Sequence, residues 1–66
     1  MCWYFEIEIR NVYTNESEII EANYMTFNNS YFEAWNKCIE RAKEHIDAKE
    51  KPFHWFIASV NDVTRR

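Results

Sequence analysis

The stretch Ser30-Tyr31-Phe32-Glu33-Ala34-Trp35-Asn36-Lys37-Cys38-Ile39-Glu40-Arg41-Ala42-Lys43-Glu44-His45-Ile46-Asp47 decides the fold, because its apolar residues recur at helical spacing. At 100° per residue Tyr31, Ala34, Trp35, Cys38, Ile39, Ala42 and Ile46 share one stripe. Glu33, Asn36, Lys37, Glu40, Lys43, Glu44 and Asp47 occupy the other side. Ser30 followed by Glu33 has the spacing of a capping box, which predicts the helix start. Glu33 with Lys37 and Asp47 with Lys51 stand acid before base at i,i+4, and Pro52 is the expected stop.

Outward from this helix the period falls to two. Upstream, Trp3, Phe5, Ile7 and Ile9 alternate with Tyr4, Glu6, Glu8 and Arg10, the pattern of a half-buried strand. A polar turn through Thr14, Asn15, Glu16 and Ser17 leads to a second strand from Glu18 to Phe27. Ile20, Ala22 and Tyr24 lie on one of its faces, and Ile19, Glu21, Asn23, Met25 and Phe27 on the other. The turn is longer than two residues, so it fixes the register only loosely. Downstream, Phe53 to about Val60 reads as a third strand. A right-handed crossover then gives an α+β fold of topology β-β-α-β. Its three-stranded antiparallel sheet has the order 2-1-3 with one helix on one face, in a single domain spanning 1–66. The expected core sets Trp35, Cys38, Ala42 and Ile46 against Trp3, Phe5, Ile7, Ile9, Ile20, Tyr24, Trp55 and Ile57. Arg65 and Arg66 end a short polar tail expected to be mobile.

Composition narrows the function. With 66 residues, a net charge of −3 and 47% hydrophobic residues, the chain supports one small core that needs help from a disulfide, a metal or a partner subunit. Only Cys2 and Cys38 could pair, and the first residues lack a secretory pattern, so the expectation is a cytoplasmic protein with free thiols. No apolar run approaches the roughly 20 residues that span a bilayer. The chain has no glycine, glutamine or leucine, which excludes phosphate-cradling glycine loops. Turns must instead use Asn11, Asn15, Asn28, Asn29, Asn61 or Asp62, whose side chains tolerate positive φ.

One helix on three strands leaves a sheet face uncovered. On the alternation above, that face carries Tyr4, Ile19, Met25, Phe27, Phe56, Ala58 and Val60 beside Glu6, Glu8, Glu21 and His54. The third strand also has no Lys, Arg, Asp or Glu from Phe53 to Val60 and lies at an edge, where unpaired backbone groups invite another strand. A homodimer with Tyr4, Phe27, His54, Phe56, Ala58 and Val60 at its interface answers both problems; the alternative is that the tail or the 11–17 loop folds over the face.

Tyr4, Phe27, His54 and Phe56 also suggest a stacking platform for nucleic acid. Charge opposes it: residues 1–33 hold six acids and one base, against five acids and seven bases in 34–66, so the sheet side repels phosphate. An acidic inhibitor of another protein is a further reading, with Glu6, Glu8, Glu18 and Glu21 standing in for phosphates.

Cys38 and His45 are seven residues apart, about 10.5 Å of helix rise, too far to share one zinc ion. Glu6 and Glu8 are about 7 Å apart on one strand face, yet acid–base chemistry needs a walled pocket that so small a domain has little room for. The expectation is therefore a non-enzyme, with no catalytic, cofactor or metal residue. His54 is the best titratable candidate, facing Glu6 or Glu8 if the first and third strands pair.

The stretch Thr26-Phe27-Asn28-Asn29-Ser30-Tyr31-Phe32-Glu33-Ala34-Trp35, followed by Ala42 and Ile46, resembles small uncharacterised αβ proteins of gut anaerobic bacteria and their phages. That resemblance covers most of the chain and implies a fold without a chemical motif. Residues 26–46 are also similar to the strand-to-helix passage of HicB-type antitoxins. The Gly-Cys element usual before the helix in that family is missing here.

Overall fold

Alternation of large apolar with polar side chains makes Cys2–Asn11 a strand, β1, and gives it the centre of the sheet. The structure is a computed structural model and describes residues 1–64. The strand β2 (Ser17–Met25) pairs antiparallel with one edge of β1, and β3 (Trp55–Asp62) pairs antiparallel with the other, in the order β2-β1-β3. The helix α1 (Tyr31–Asp47) crosses one face between β2 and β3. This is the α+β, β-β-α-β arrangement expected from the change of periodicity. The tail expected at Arg65 and Arg66 lies outside the described residues.

Burial of one face of β1 holds the fold together. Trp3, Phe5, Ile7 and Ile9 are buried there with Ile20 and Ala22 of β2, and α1 covers them with Ala34, Cys38, Ala42 and Ile46. Three of those four helix residues are small, which lets the helix backbone approach the large side chains of β1. Ring edges complete the contact, Trp35 standing at 89° to Phe5 and Tyr31 at 83° to Trp3. The helix lies over β1 and β2 and touches β3 little, so no residue of β3 is buried; Trp55, Ile57 and Val60 are half-covered.

Asparagine replaces glycine at the two turns that need a left-handed backbone, Asn15 with φ 63° and Asn29 with φ 59°. Asn11 is buried at the end of β1, and its side-chain oxygen accepts from the amides of Tyr13 and Thr14, which ties the β1–β2 loop together. Thr26 is buried at the opposite end, where its hydroxyl accepts from the Trp3 indole at 3.2 Å. Ser30 caps α1 by accepting from the Glu33 amide at 3.3 Å. The Glu33 carboxylate accepts from the Tyr24 hydroxyl.

Three details differ from the sequence pattern. The helix ends at Asp47, before Pro52, with the Lys49 amide bonded to the Ile46 carbonyl in a tightened last turn, so Asp47 and Lys51 are not a helical pair. Lys37 pairs with Glu40 at 3.7 Å rather than with Glu33. Residues Pro52–His54 form a 3-10 turn, consistent with the fixed φ of proline at a helix start, so β3 begins at Trp55 and runs through Asn61 and Asp62 without a turn there.

A bulge also interrupts β3. Ile57 stands opposite Ile9 and Ser59 opposite Glu8, which leaves Ala58 as the extra residue. The alternation reverses beyond it. Val60 therefore stands opposite Ile7 on the helix side instead of on the open face.

The left-handed turns give a direct test. Asn15→Ala and Asn29→Ala should each lower the unfolding free energy by about 1 kcal/mol, whereas the glycine variants should not, as read by urea denaturation.

Candidate interaction surface

The uncovered face of the sheet is built from the outward residues of all three strands. Register sets them in rows across β2, β1 and β3: Ser17, Arg10 and Phe56; Ile19, Glu8 and Ser59; Glu21, Glu6 and Asn61. Beyond these come Asn23 opposite Tyr4 and Met25 opposite Cys2, and the Val63 amide donates to the Tyr4 carbonyl. Thr64 bonds the Tyr4 backbone through its hydroxyl, so residues 63–64 run beside β1 and do not fold across the face. The β1–β2 loop closes on itself through Asn11 and leaves the face open as well.

This surface is both apolar and acidic. Tyr4, Ile19, Met25, Phe56 and Val63 are exposed on it. Of its three carboxylates, Glu8 is neutralised by Arg10 at 2.7 Å and lies 3.4 Å from the Ser59 hydroxyl. Glu6 and Glu21 stand directly opposite each other, and neither forms an ion pair among the described residues. Like charges opposite one another on a sheet are destabilising. They line an open depression together with Tyr4, Asn23 and Val63. The Tyr4 phenol is held above its ordinary value by hydrogen bonding with Cys2, two residues away on the same face.

The residues singled out from sequence do not form one patch. Tyr4 and Phe56 share the open face, but Phe56 stands opposite Arg10, six residues along β1 from Tyr4 and about 20 Å away at strand rise. Ala58 is exposed at the bulge, and Val60 faces the helix side. Phe27 lies beyond the end of β2 in the loop to α1, fully exposed. His54 belongs to the 3-10 turn, where its ring packs between Tyr13 at 4.4 Å and Phe53 at 4.6 Å between centroids. It therefore does not face Glu6 or Glu8, whose partners on β3 are Asn61 and Ser59.

The histidine that does meet a carboxylate is His45, 3.3 Å from Glu18. Lys49 bonds the other Glu18 oxygen and lies 4.6 Å over the Trp55 ring, which links β2, the chain after α1 and β3. Glu18 is thus on the helix side and committed, not part of an acidic open face. The Lys49 hydrogen bond is the main cause that holds its carboxyl below the ordinary value of 4.5, assisted by the charges of Lys49 and His45. Nothing in the helical or strand periodicity signals this cluster, because Lys49 acts from beyond the helix end.

A second uncovered strip follows β3. Trp55, Ile57 and Val60 line its helix side, and Trp35 and Ile39 line the adjoining flank of α1; all five are only partly buried. No Lys, Arg, Asp or Glu occurs from Trp55 to Asn61. The other edge strand, β2, carries Glu18 and Glu21.

The sheet separates the cysteines. Cys38 is buried on the helix side, and burial pushes its thiol up and away from reactivity. Cys2 alternates with Trp3 and so faces the open side. No group of three or more His, Cys, Asp or Glu placed to hold a metal ion occurs among the described residues, and no helix is long and apolar enough to cross a membrane. Comparison with protein-family models, curated proteins and solved structures found no match.

The depressed Glu18 value fixes the sign of a pH effect. Its stabilising contribution is complete above the ordinary carboxylate value and is lost as pH falls through the lowered one. Glu18 is 40% exposed, so solvent screening keeps the effect small. Thermal unfolding between about pH 6 and pH 3 should show a shallower acid loss for Glu18→Gln than for the parent chain, and equal slopes would contradict the assignment.

Proposed function

We propose that this chain is a non-catalytic interaction module of the cytoplasm that pairs with a second copy of itself along β3. The observation that carries this reading is the half-built flank beside β3, where α1 leaves Trp55, Ile57, Val60, Trp35 and Ile39 partly covered. A second copy placed against it supplies the missing apolar cover, and the unpaired edge of β3 supplies backbone groups for it. The flank and edge carry no charge from Trp55 to Asn61, so two copies meet there without repulsion. The bulge at Ala58 divides the edge, so pairing follows Trp55–Ile57 or Ser59–Asn61 rather than the whole strand.

Shape supports the same reading. The Cα radius of gyration is 12.6 Å, against about 10.8 Å for a compact chain of this length, and the extents are 39 × 18 × 13 Å. A flat two-layer slab of this kind gains more than a sphere does from lateral association. The open face is a poorer self-contact, because Glu6 and Glu21 would meet their own copies. Its acidity and the roughly 20 Å between Tyr4 and Phe56 also weigh against a nucleic-acid platform. The cytoplasm is supported by two thiols on opposite sides of the sheet, which serve no intrachain disulfide.

Sedimentation equilibrium from about ten to several hundred micromolar tests this. The parent chain should show twice the monomer mass at the upper end. Ile39→Glu combined with Ala58→Glu should restore the monomer, and Ile19→Glu on the far strand should leave the dimer intact. A monomer at every concentration, or a dimer broken by Ile19→Glu alone, would overturn the reading.

A further inference from the structure

The open sheet face poses a problem that a second copy does not solve. Among the described residues it holds three carboxylates and one guanidinium, and Arg10 is already committed to Glu8. The uncompensated charge is therefore concentrated at Glu6 and Glu21, which face each other at cross-strand distance, about 5 Å between Cβ atoms. Tyr4 follows Glu6 on one side along the strands, and Ile19 flanks Glu21 on the other. The acidic pair thus lies in an open depression lined by Tyr4, Asn23 and Val63, with Ile19 exposed one row beyond Glu21. Among the described residues, Lys37, Arg41, Lys43 and Lys49 belong to α1 and the turn after it, on the opposite side of the sheet, and no ion pair reaches Glu6 or Glu21.

Electrostatic and apolar complementarity together define one occupant. We infer that the open face is a docking surface for a basic, apolar-flanked segment of another protein, whose lysine or arginine enters between Glu6 and Glu21 while its flanking side chains cover Tyr4 and Ile19. A cation placed there relieves the repulsion that the free domain tolerates, so its affinity is realised only when the charge and the apolar cover arrive together. A second copy of this chain would bring further carboxylates to the same place. Nucleic acid would bring phosphates. The inference is independent of the β3 contact, since it uses the opposite side of the sheet.

Amide shift perturbation by NMR on the full chain tests it, with three probes: an eight-residue peptide alternating valine and lysine, its valine–glutamate counterpart, and trilysine. The alternating basic peptide should give saturable shifts centred on Tyr4, Glu6, Glu21 and Asn23. Its affinity should fall about tenfold in the Glu6→Gln, Glu21→Gln double variant and weaken as salt rises. The acidic peptide should give none, and trilysine should bind at least tenfold more weakly. Shifts centred on α1 or β3, an unchanged affinity in the double variant, or trilysine binding as tightly as the alternating peptide would each overturn the proposal. Loss of dimerisation with these shifts retained would count against the β3 reading alone.

Discussion

One helix about 10 Å wide cannot shield three strands spaced about 4.8 Å apart, and the rest of this structure follows from how the chain resolves that shortage. Ala34, Cys38 and Ala42 bring α1 down onto Phe5, Ile7 and Ile9, which gives β1 a fully buried face. The same close seat draws the helix toward β1 and β2 and away from β3. Trp55, Ile57 and Val60 then keep part of their surface in water, although they point to the core side. The bulge at Ala58 adds to the apolar load on this flank, because it turns Val60 inward where strict alternation would have turned it out.

The two sides of the sheet consequently differ in what they can meet. Beside β3 the strip is apolar and uncharged, and it continues into an unpaired strand edge. The open face mixes exposed apolar side chains such as Tyr4, Ile19 and Val63 with polar ones and is centred on two facing carboxylates. β2 carries Glu18 and Glu21 along its edge, which discourages the same self-pairing that β3 permits. Charge placement, more than aromatic content, therefore separates a surface suited to a second copy from one suited to a basic partner. Polar links tie the margins of this apolar slab. Glu18 with Lys49 and His45 ties β2 to the chain after the helix, and Asn11 and Thr26 close the two ends of β1.

The fold was legible because two periods alternate cleanly along the chain. Trp3, Phe5, Ile7 and Ile9 announce the buried face of β1, and Ala34, Cys38, Ala42 and Ile46 announce the stripe that covers it. The absence of glycine pointed to asparagine at positive φ, which Asn15 and Asn29 adopt. The candidate site was less legible. A bulge has no signature in an uncharged run such as Trp55–Asn61, so the side of Val60 could not be read. Pro52 closes the helical pattern in sequence, yet in the structure it opens a turn that lifts His54 out of the strand. Glu18 counted as a free acid because its partner Lys49 sits 31 residues away, beyond the helix. The pairing of Glu6 with Glu21 depends on a register that the long β1–β2 loop leaves open in sequence.

If a second copy completes the flank beside β3, contacts between chains must appear there. An isotope-filtered NOE experiment on an equimolar mixture of labelled and unlabelled chains addresses it most directly. Intermolecular contacts are expected from Trp55, Ile57 and Val60 to the same strand, or to Trp35 and Ile39, of the other copy. Intermolecular contacts confined to Tyr4, Ile19 and Met25, or none at a concentration of several hundred micromolar, would contradict it.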